Sequence, residues 1–199
     1  MTSMNEYVLV FKRDRVSLPC TGQFFTDTGI LDEILNSVEF ARRGEVEEQP
    51  SMLQIIPYSL LRYEERVLTY RRTGAGDEDR LHNRQSLGVG GHVNRSDFKS
   101  EDCLVMAAIE TARDREIREE FQVDLSSARP FVGMIYDDGS AVGRVHFGLV
   151  FECWLKTPEV SVRESVLHRE PTLMTVPEIL NLIGEYESWS RIIIDNYLT

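Results

Sequence analysis

A stretch between residues 101 and 121 has the side-chain spacing of one long α-helix, and it constrains the fold more than any other part of the chain. Each residue of an α-helix advances about 100° around the axis, so residues three and four apart share a face. The apolar residues on this face are Val105, Ala108, Ile109 and Ala112. We predict that the face is buried, that Ser100 caps the helix start, and that Ile117 and Phe121 turn to another flank.

Three glutamates continue the apolar face towards the end of this helix. They are Glu116, Glu119 and Glu120. Charged groups usually lie opposite the apolar face, so a merely solvated helix end is the weaker interpretation. Like charges within one turn repel each other, and a divalent cation would compensate them. Magnesium prefers oxygen ligands, and Arg115, one turn before Glu119, can hold that carboxylate by a charge-assisted hydrogen bond.

The residues around these glutamates resemble the helical part of the Nudix box. Residues 115 to 123 read Arg-Glu-Ile-Arg-Glu-Glu-Phe-Gln-Val, which is similar to the family pattern of Arg-Glu, an aliphatic residue, any residue, Glu-Glu, any residue, glycine and an aliphatic residue. Gly90 and Gly91 resemble the glycine pair that opens the box. The resemblance covers residues 55 to 199. Residues 70–73, 80–82 and 88–92 resemble, more specifically, the MutT-like, phosphoesterase branch of the family.

This resemblance implies an α/β fold, namely a Nudix-type α/β/α sandwich with a mixed sheet. Because the charged segment 42–50 ends in proline, we place an N-terminal extension at 1–50, packed on a hydrolase domain at 51–199. The implied catalytic residues are Glu116, Glu119, Glu120 and Arg115. The implied ligands of Mg²⁺ or Mn²⁺ are Glu116, Glu119, Glu120 and the carbonyl of Gly91. The candidates for binding substrate phosphate are Arg71, Arg72 and His82, and a solvated surface role is the alternative for each.

The chain departs from the family pattern in three places. Gly91 and Arg115 are 24 positions apart, which is about ten more than the family spacing and implies an insertion in the loop or the early helix. Asp97 stands where the family has a glutamate six positions after the glycine. Gln122 replaces the late glycine of the box, which leaves the end of the helix without the residue best suited to a left-handed cap.

Strand patterns flank the helix. Residues 58–63 and 66–73 read as a hairpin around a turn at Glu64 and Glu65. Residues 130–136 and 143–155 read as two further strands, joined by a sequence rich in Asp and Gly that is typical of a turn. Residues 188–197 have the pattern of a terminal helix. The glycines at 88–91 indicate an extended segment where the backbone comes close to another group.

Composition narrows the classes of partner. A formal net charge of −11 and a pI near 4.9 argue against general nucleic-acid binding, because most of the surface would repel a polyanion. The protein can still bind a small phosphorylated substrate if a metal cation supplies the positive charge. No apolar run approaches the roughly 20 residues of a membrane span. Three widely spaced cysteines favour a reduced, cytoplasmic protein. The four histidines are scattered and show no zinc-binding spacing.

The resemblance to the Nudix box implies a magnesium-dependent hydrolase that cleaves a diphosphate linkage in a nucleoside diphosphate derivative or a related compound. The alternative is a Nudix-like module that binds a nucleotide, or regulates, without hydrolysing it. The sequence leaves the substrate and the general base open, since Glu119 or a carboxylate outside the box could activate the water. It also leaves open whether the chain forms a homodimer.

Overall fold

The computed structural model describes residues 4–19, 21–72, 84–100, 102–163 and 168–199. The strands in these ranges are Tyr7–Lys12 (β1), Gln23–Phe25 (β2), Val38–Arg42 (β3), Met52–Tyr63 (β4), Arg66–Arg72 (β5), Gln85–Ser86 (β6), Gly88–Gly90 (β7), Phe121–Gln122 (β8), Phe131–Tyr136 (β9), His146–Trp154 (β10), Ser161–Val162 (β11) and His168–Thr175 (β12). The α-helices are Thr28–Leu35 (α1), Arg43–Val46 (α2), Val105–Glu120 (α3), Val176–Asn181 (α4) and Ser188–Ile193 (α5).

Ten of these strands form one sheet, in which β12, β5, β4, β10, β9 and β2 are hydrogen-bonded in that order. Beside this path, β1 pairs with β3 and β4, β6 pairs with β5, and β7 pairs with β4. Strands β8 and β11 form a separate two-stranded ladder. The chain clusters into two compact units. The first comprises Met1–Pro57, Gly91–Asp114 and Gly133–Leu149, and the second comprises Tyr58–Gly90, Arg115–Val132 and Val150–Thr199.

The first unit is built around β1, which is antiparallel to both β3 and β4. Val8 and Val10 of this strand are fully buried and pack with Val46 at the end of α2. Phe11 meets Phe147 of β10 edge to face, with ring centroids 5.3 Å apart. The unbroken apolar run of β1 therefore fits a strand that is covered on both faces.

The second unit contains the hairpin that the sequence predicts. β4 and β5 are antiparallel and are joined at Glu64 and Glu65, with Tyr63 opposite Arg66. Glu64 has a φ of 51°, a left-handed conformation that a tight turn requires. β5 also pairs with β12 and, at Tyr70 and Arg71, with β6. It therefore has neighbouring strands on both of its edges. The predicted turn position is confirmed.

The glycine-rich segment was predicted to let another group come close to the backbone, and the structure shows this at Gly88 in β7. A Cβ atom at this position would lie 2.1 Å from the ring of Tyr58, so only glycine fits. The Gly88 carbonyl accepts a 2.6 Å hydrogen bond from the hydroxyl of Tyr70. The group that approaches the backbone here is thus part of the protein's own core.

The other predicted elements are present with shifted bounds. The long helix begins at Val105, later than expected, and ends at Glu120. The two predicted later strands are β9 and β10, and the residues from Gly143 to Val145 form a short 3₁₀ turn instead of strand. In the described ranges, no helix has the length and apolar character needed to cross a bilayer. The division into 1–50 and 51–199 stays a prediction.

Candidate active site

The box glutamates occupy the last turn and a half of α3, within the second unit. Arg115 bridges two of them, because its Nη1 lies 2.6 Å from Glu116 Oε1 and 3.3 Å from Glu119 Oε2. The side chain of Glu116 is only 12% exposed, whereas that of Glu119 is 52% exposed. One cation thus holds an inner and an outer carboxylate on the same stretch of helix.

Glu116 has an unusual protonation equilibrium. Burial raises the pKa of its carboxyl to about 7, and the negative charges of Glu120 and Glu119 add to this rise. The neighbouring Arg115 lowers the pKa but does not outweigh burial. The metal-free site therefore holds a proton near neutral pH, as expected of carboxylates that are placed to share a cation.

The end of α3 is anchored by apolar contacts. Ile117 and Phe121, which helical spacing places on another flank than the glutamates, are 0% and 1% exposed, so that flank is buried as well. The ring of Tyr70 on β5 packs edge to face against Phe121, with centroids 5.2 Å apart. The buried face therefore rotates towards Ile117 and Phe121 at the helix end, and Glu116 lies at its margin.

Gln122 does not disturb the helix end, although it replaces the glycine of the family pattern. Residues 121 and 122 form β8, which pairs with Ser161 and Val162 of β11, and Gln122 is not among the described residues with positive φ. The backbone N–H of Arg163 donates to the carbonyl of Glu120 at 2.9 Å, which satisfies one carbonyl of the last turn. The chain passes from helix directly into strand, so no left-handed cap is needed.

Two of the three predicted phosphate-binding residues, Arg71 and Arg72, have different surroundings in the structure. Arg71 forms a 2.7 Å ion pair with Glu185 at the surface. Arg72 is partly exposed like Arg71, but its Nε is buried without a hydrogen-bond partner among the described residues. Burial alone would lower the pKa of Arg72, but the fields of Tyr70, Glu120 and other acidic groups raise it above its usual value. His82 lies outside the described residues.

Glu187 is the residue that the sequence analysis did not identify. It caps α5, accepting from the backbone N–H groups of Trp189 and Ser190 at 2.8 and 2.9 Å. It also accepts a 2.8 Å hydrogen bond from the hydroxyl of Tyr58. Its negative charge acts on Arg72 together with that of Glu120. An acidic residue immediately before a predicted helix is a capping signal, but nothing in the local sequence indicates that it faces an arginine.

The donor set at the end of α3 fits a hard divalent cation. Glu116, Glu119 and Glu120 offer only carboxylate oxygens, and Glu116 is already largely withdrawn from water. Oxygen-only ligation is what Mg²⁺ and Mn²⁺ accept. Gly91 directly follows β7 and belongs to the first unit, and its carbonyl as a metal ligand stays a prediction from the family pattern. Asp97 is 1% exposed, and its Oδ2 accepts from the N–H of Asn94 at 2.8 Å, so it stabilises a turn.

We predict that Glu116→Gln changes how the stability of the metal-free protein depends on pH. The folded-state pKa of about 7 exceeds the usual 4.5, so the wild-type folded state binds more protons than the unfolded state in this interval and loses stability as the pH rises from about 4.5 to about 7. Glutamine mimics the protonated carboxyl and removes this loss, which amounts to about 3 kcal/mol. Denaturant unfolding in the presence of a chelator, at several pH values, measures the difference. A constant difference between the two proteins from pH 4 to pH 8 would contradict the prediction.

Comparisons with known proteins agree with this geometry. No family model matches the chain. It is 34% identical to protein YmaB of Bacillus subtilis strain 168 over 98% of each chain. Among solved structures it is similar to Tm1382, a candidate Nudix hydrolase, at 29% identity and a TM-score of 0.78, covering 96% of this chain and 97% of that one. The predicted α/β class with a mixed sheet is confirmed by this likeness.

A more distant likeness concerns the fold alone. A bifunctional NMN adenylyltransferase/ADP-ribose pyrophosphatase from Francisella tularensis, solved with AMP and a manganese ion, is 16% identical. The similarity has a TM-score of 0.54 and covers 72% of this chain and 40% of that chain. The architecture described above is therefore shared with a protein of much lower sequence identity.

Proposed function

The chain belongs to the Nudix hydrolase family, and on that premise we propose that it hydrolyses a diphosphate linkage in a nucleoside diphosphate derivative, with Mg²⁺ or Mn²⁺ as cofactor. The observation that carries this proposal is the arrangement of three carboxylates at the end of α3. Arg115 contacts Glu116 and Glu119 at once, and Glu116 is largely buried with a pKa of about 7. A structural helix end gains little from such crowding of like charges.

The residues at the end of α3 have separate roles in the proposed reaction. Glu116 and Glu120 would hold the cation, since both contribute carboxylate charge to the cluster. When bound, Mg²⁺ neutralises phosphate oxygens and stabilises the charge that develops as water attacks phosphorus. Glu119, the most exposed of the three with 52% of its side chain exposed, orients the attacking water or accepts its proton. Arg115 fixes the Glu119 carboxylate for that task.

The guanidinium group of Arg72 binds a phosphate group of the proposed substrate. Its guanidinium lies in the field of Glu120 and keeps a buried N–H without a hydrogen-bond partner among the described residues. A phosphate oxygen would satisfy such a donor, and guanidinium groups bind phosphate with defined geometry. Arg71 is excluded from this role, because Glu185 already neutralises it. The proposed substrate is therefore an anion with at least two linked phosphates, one near the cation and one near Arg72.

The alternative to hydrolysis is a nucleotide-binding module without turnover. Binding alone could proceed with fewer clustered carboxylates, so the retention of all three favours catalysis. The Francisella protein that shares the fold is described as an ADP-ribose pyrophosphatase and was solved with manganese. Both ADP-ribose and Mn²⁺ therefore belong in the first assays. We place the activity in the cytoplasm.

We predict hydrolysis of at least one compound in a panel of ADP-ribose, dinucleotide polyphosphates, nucleotide sugars and nucleoside triphosphates. Turnover should need Mg²⁺ or Mn²⁺, because the three carboxylates at the end of α3 would repel a diphosphate unless a cation lies between them. Chromatography of the products, with and without a chelator, measures the release of a nucleoside monophosphate or of pyrophosphate. Tight binding of a panel member without turnover under either metal would support the binding module instead.

A further inference from the structure

Two histidines and a glutamate meet inside the first unit, although they are far apart in the sequence. They are Glu47, His92 and His146, and one ligand atom from each lies within 4.8 Å of the others. His92 and His146 are 8% and 6% exposed, and their rings are 5.5 Å apart. The Glu47 side chain is 17% exposed. His92 directly follows the Gly91 that opens the box, but none of the three residues is one of the box glutamates or enters the proposed reaction.

Each of the three residues is placed by a different structural element. Glu47 directly follows α2, whose last residue Val46 is fixed in the core against β1. His92 lies one residue before Val93, whose carbonyl accepts a 2.9 Å hydrogen bond from the N–H of Leu9. His146 begins β10. The rigid neighbours of each residue therefore determine where its side chain points.

The surroundings of His146 select the nitrogen that can bind a metal. Its Nδ1 lies 2.8 Å from the carbonyl oxygen of Val142. A carbonyl only accepts, so Nδ1 carries the proton and donates, and in the neutral ring Nε2 keeps its lone pair. A histidine whose Nδ1–H is bound to a backbone carbonyl is the usual arrangement of a metal-ligating imidazole.

The carboxylate of Glu47 is held in place by a hydrogen bond from Arg43. Nε of the buried Arg43 donates to Glu47 Oε2 at 3.4 Å. Nη1 of Arg43 pairs with Glu6 at 3.2 Å, so the arginine is itself held on two sides. Ligating carboxylates are commonly held in this way by a second hydrogen-bonding partner.

We propose that Glu47, His92 and His146 form a binding site for a divalent transition-metal ion, with Zn²⁺ as its best occupant. Two imidazole nitrogens and one carboxylate oxygen are a ligand set that zinc accepts at about 2.0–2.2 Å, with a fourth position left for water or another ligand. Ligand atoms bound at such distances are at most about 4.4 Å apart, which is close to the 4.8 Å within which the three ligand atoms already lie. This site goes beyond the proposed hydrolase function, because its ligands differ from the oxygen-only donors at the end of α3.

The proposal predicts that the protein retains about one Zn²⁺ per chain after equilibrium dialysis against buffer with excess Mg²⁺, since magnesium saturates oxygen sites but competes poorly for imidazole. Glu47→Gln, His92→Gln and His146→Gln should each weaken zinc binding by at least about 100-fold. Glu48→Gln is the matched control, because Glu48 is the exposed neighbour of Glu47. Glu120→Gln, in the box, should also retain the zinc. Metal analysis of the dialysed proteins gives the stoichiometry, and competition with a zinc indicator gives the affinity.

Thermal melts provide a second measurement on the same proteins. Zn²⁺ should raise the melting temperature of wild type and of Glu48→Gln, and should leave Glu47→Gln unchanged. If a histidine variant fails to fold, the pair Glu47→Gln and Glu48→Gln decides, since neither changes a fully buried side chain. Absence of zinc from the wild type would overturn the proposal, as would equal zinc binding by wild type and Glu47→Gln. Either result would assign the three residues to a hydrogen-bonded structural cluster.

Discussion

Glu120→Gln should lower kcat by roughly 10³-fold, because it removes a carboxylate of the cation site, and the transition-state stabilisation that a bound cation supplies is several kcal/mol. The fold should remain intact. Glu120 raises the pKa of Glu116 through like-charge repulsion, so the amide relieves this repulsion in the absence of metal. The metal-free variant should therefore be no less stable than the metal-free wild type.

Thermal melts with and without Mg²⁺ separate this role from a structural one. Magnesium that binds the native state raises the melting temperature of the wild type, and this rise should largely disappear in Glu120→Gln. Glu110→Gln is the matched control, since Glu110 is an exposed glutamate on the same helix. An equal rise with magnesium in wild type and Glu120→Gln would remove Glu120 from the cation site and leave a solvated helix end.

Arg72→Met should lower kcat/KM by about 100-fold, the effect of losing a charged hydrogen bond to phosphate worth about 3 kcal/mol. Arg72→Lys keeps the charge but not the planar group, and should recover only part of the loss. Arg71→Met is the matched control, because the neighbouring Arg71 pairs with the half-exposed Glu185 and such pairs contribute little. Its kcat/KM should stay close to that of the wild type.

The two arginine variants are compared by steady-state kinetics on the best substrate of the panel, with melting temperatures measured in parallel. Arg72→Met should also lose some stability, because Glu120 and Glu187 then lose the favourable interaction with the Arg72 charge. Arg72→Lys retains that charge, so reduced activity at nearly wild-type stability would identify phosphate recognition by the guanidinium. Full activity in Arg72→Lys together with reduced activity in Arg71→Met would reverse the assignment of the two residues.

Features that depend on local spacing were predictable from the sequence. The turn at Glu64 and Glu65 and the long helix that ends at Glu120 follow from patterns within about 20 residues, and both are present. Arg115 was predicted to hold the carboxylate of Glu119, and the two side chains are 3.3 Å apart. Residues one turn apart on a helix must lie close together, whatever the rest of the fold is.

Features that depend on distant segments were not predictable. Phe121 is buried against Tyr70, which β5 presents to the end of the helix, and helical periodicity contains no information on that neighbour. The histidines at 92 and 146 were classed as scattered, yet they lie side by side with Glu47 because three elements meet there. Likewise, sequence spacing gave Arg71 and Arg72 equal weight, and only their different surroundings distinguish them.

The position of Glu187 in the chain has a consequence for the order in which the protein matures. Tyr58, Arg72 and α3 all leave the ribosome before Glu187, and at about 5–20 residues per second the chain needs several seconds to extend from Arg72 to α5. During that interval the Tyr58 hydroxyl lacks its acceptor, and Arg72 lacks one of the negative charges that surround it in the folded protein. The electrostatic environment of Arg72 is therefore completed late in biosynthesis, after the box helix has been made.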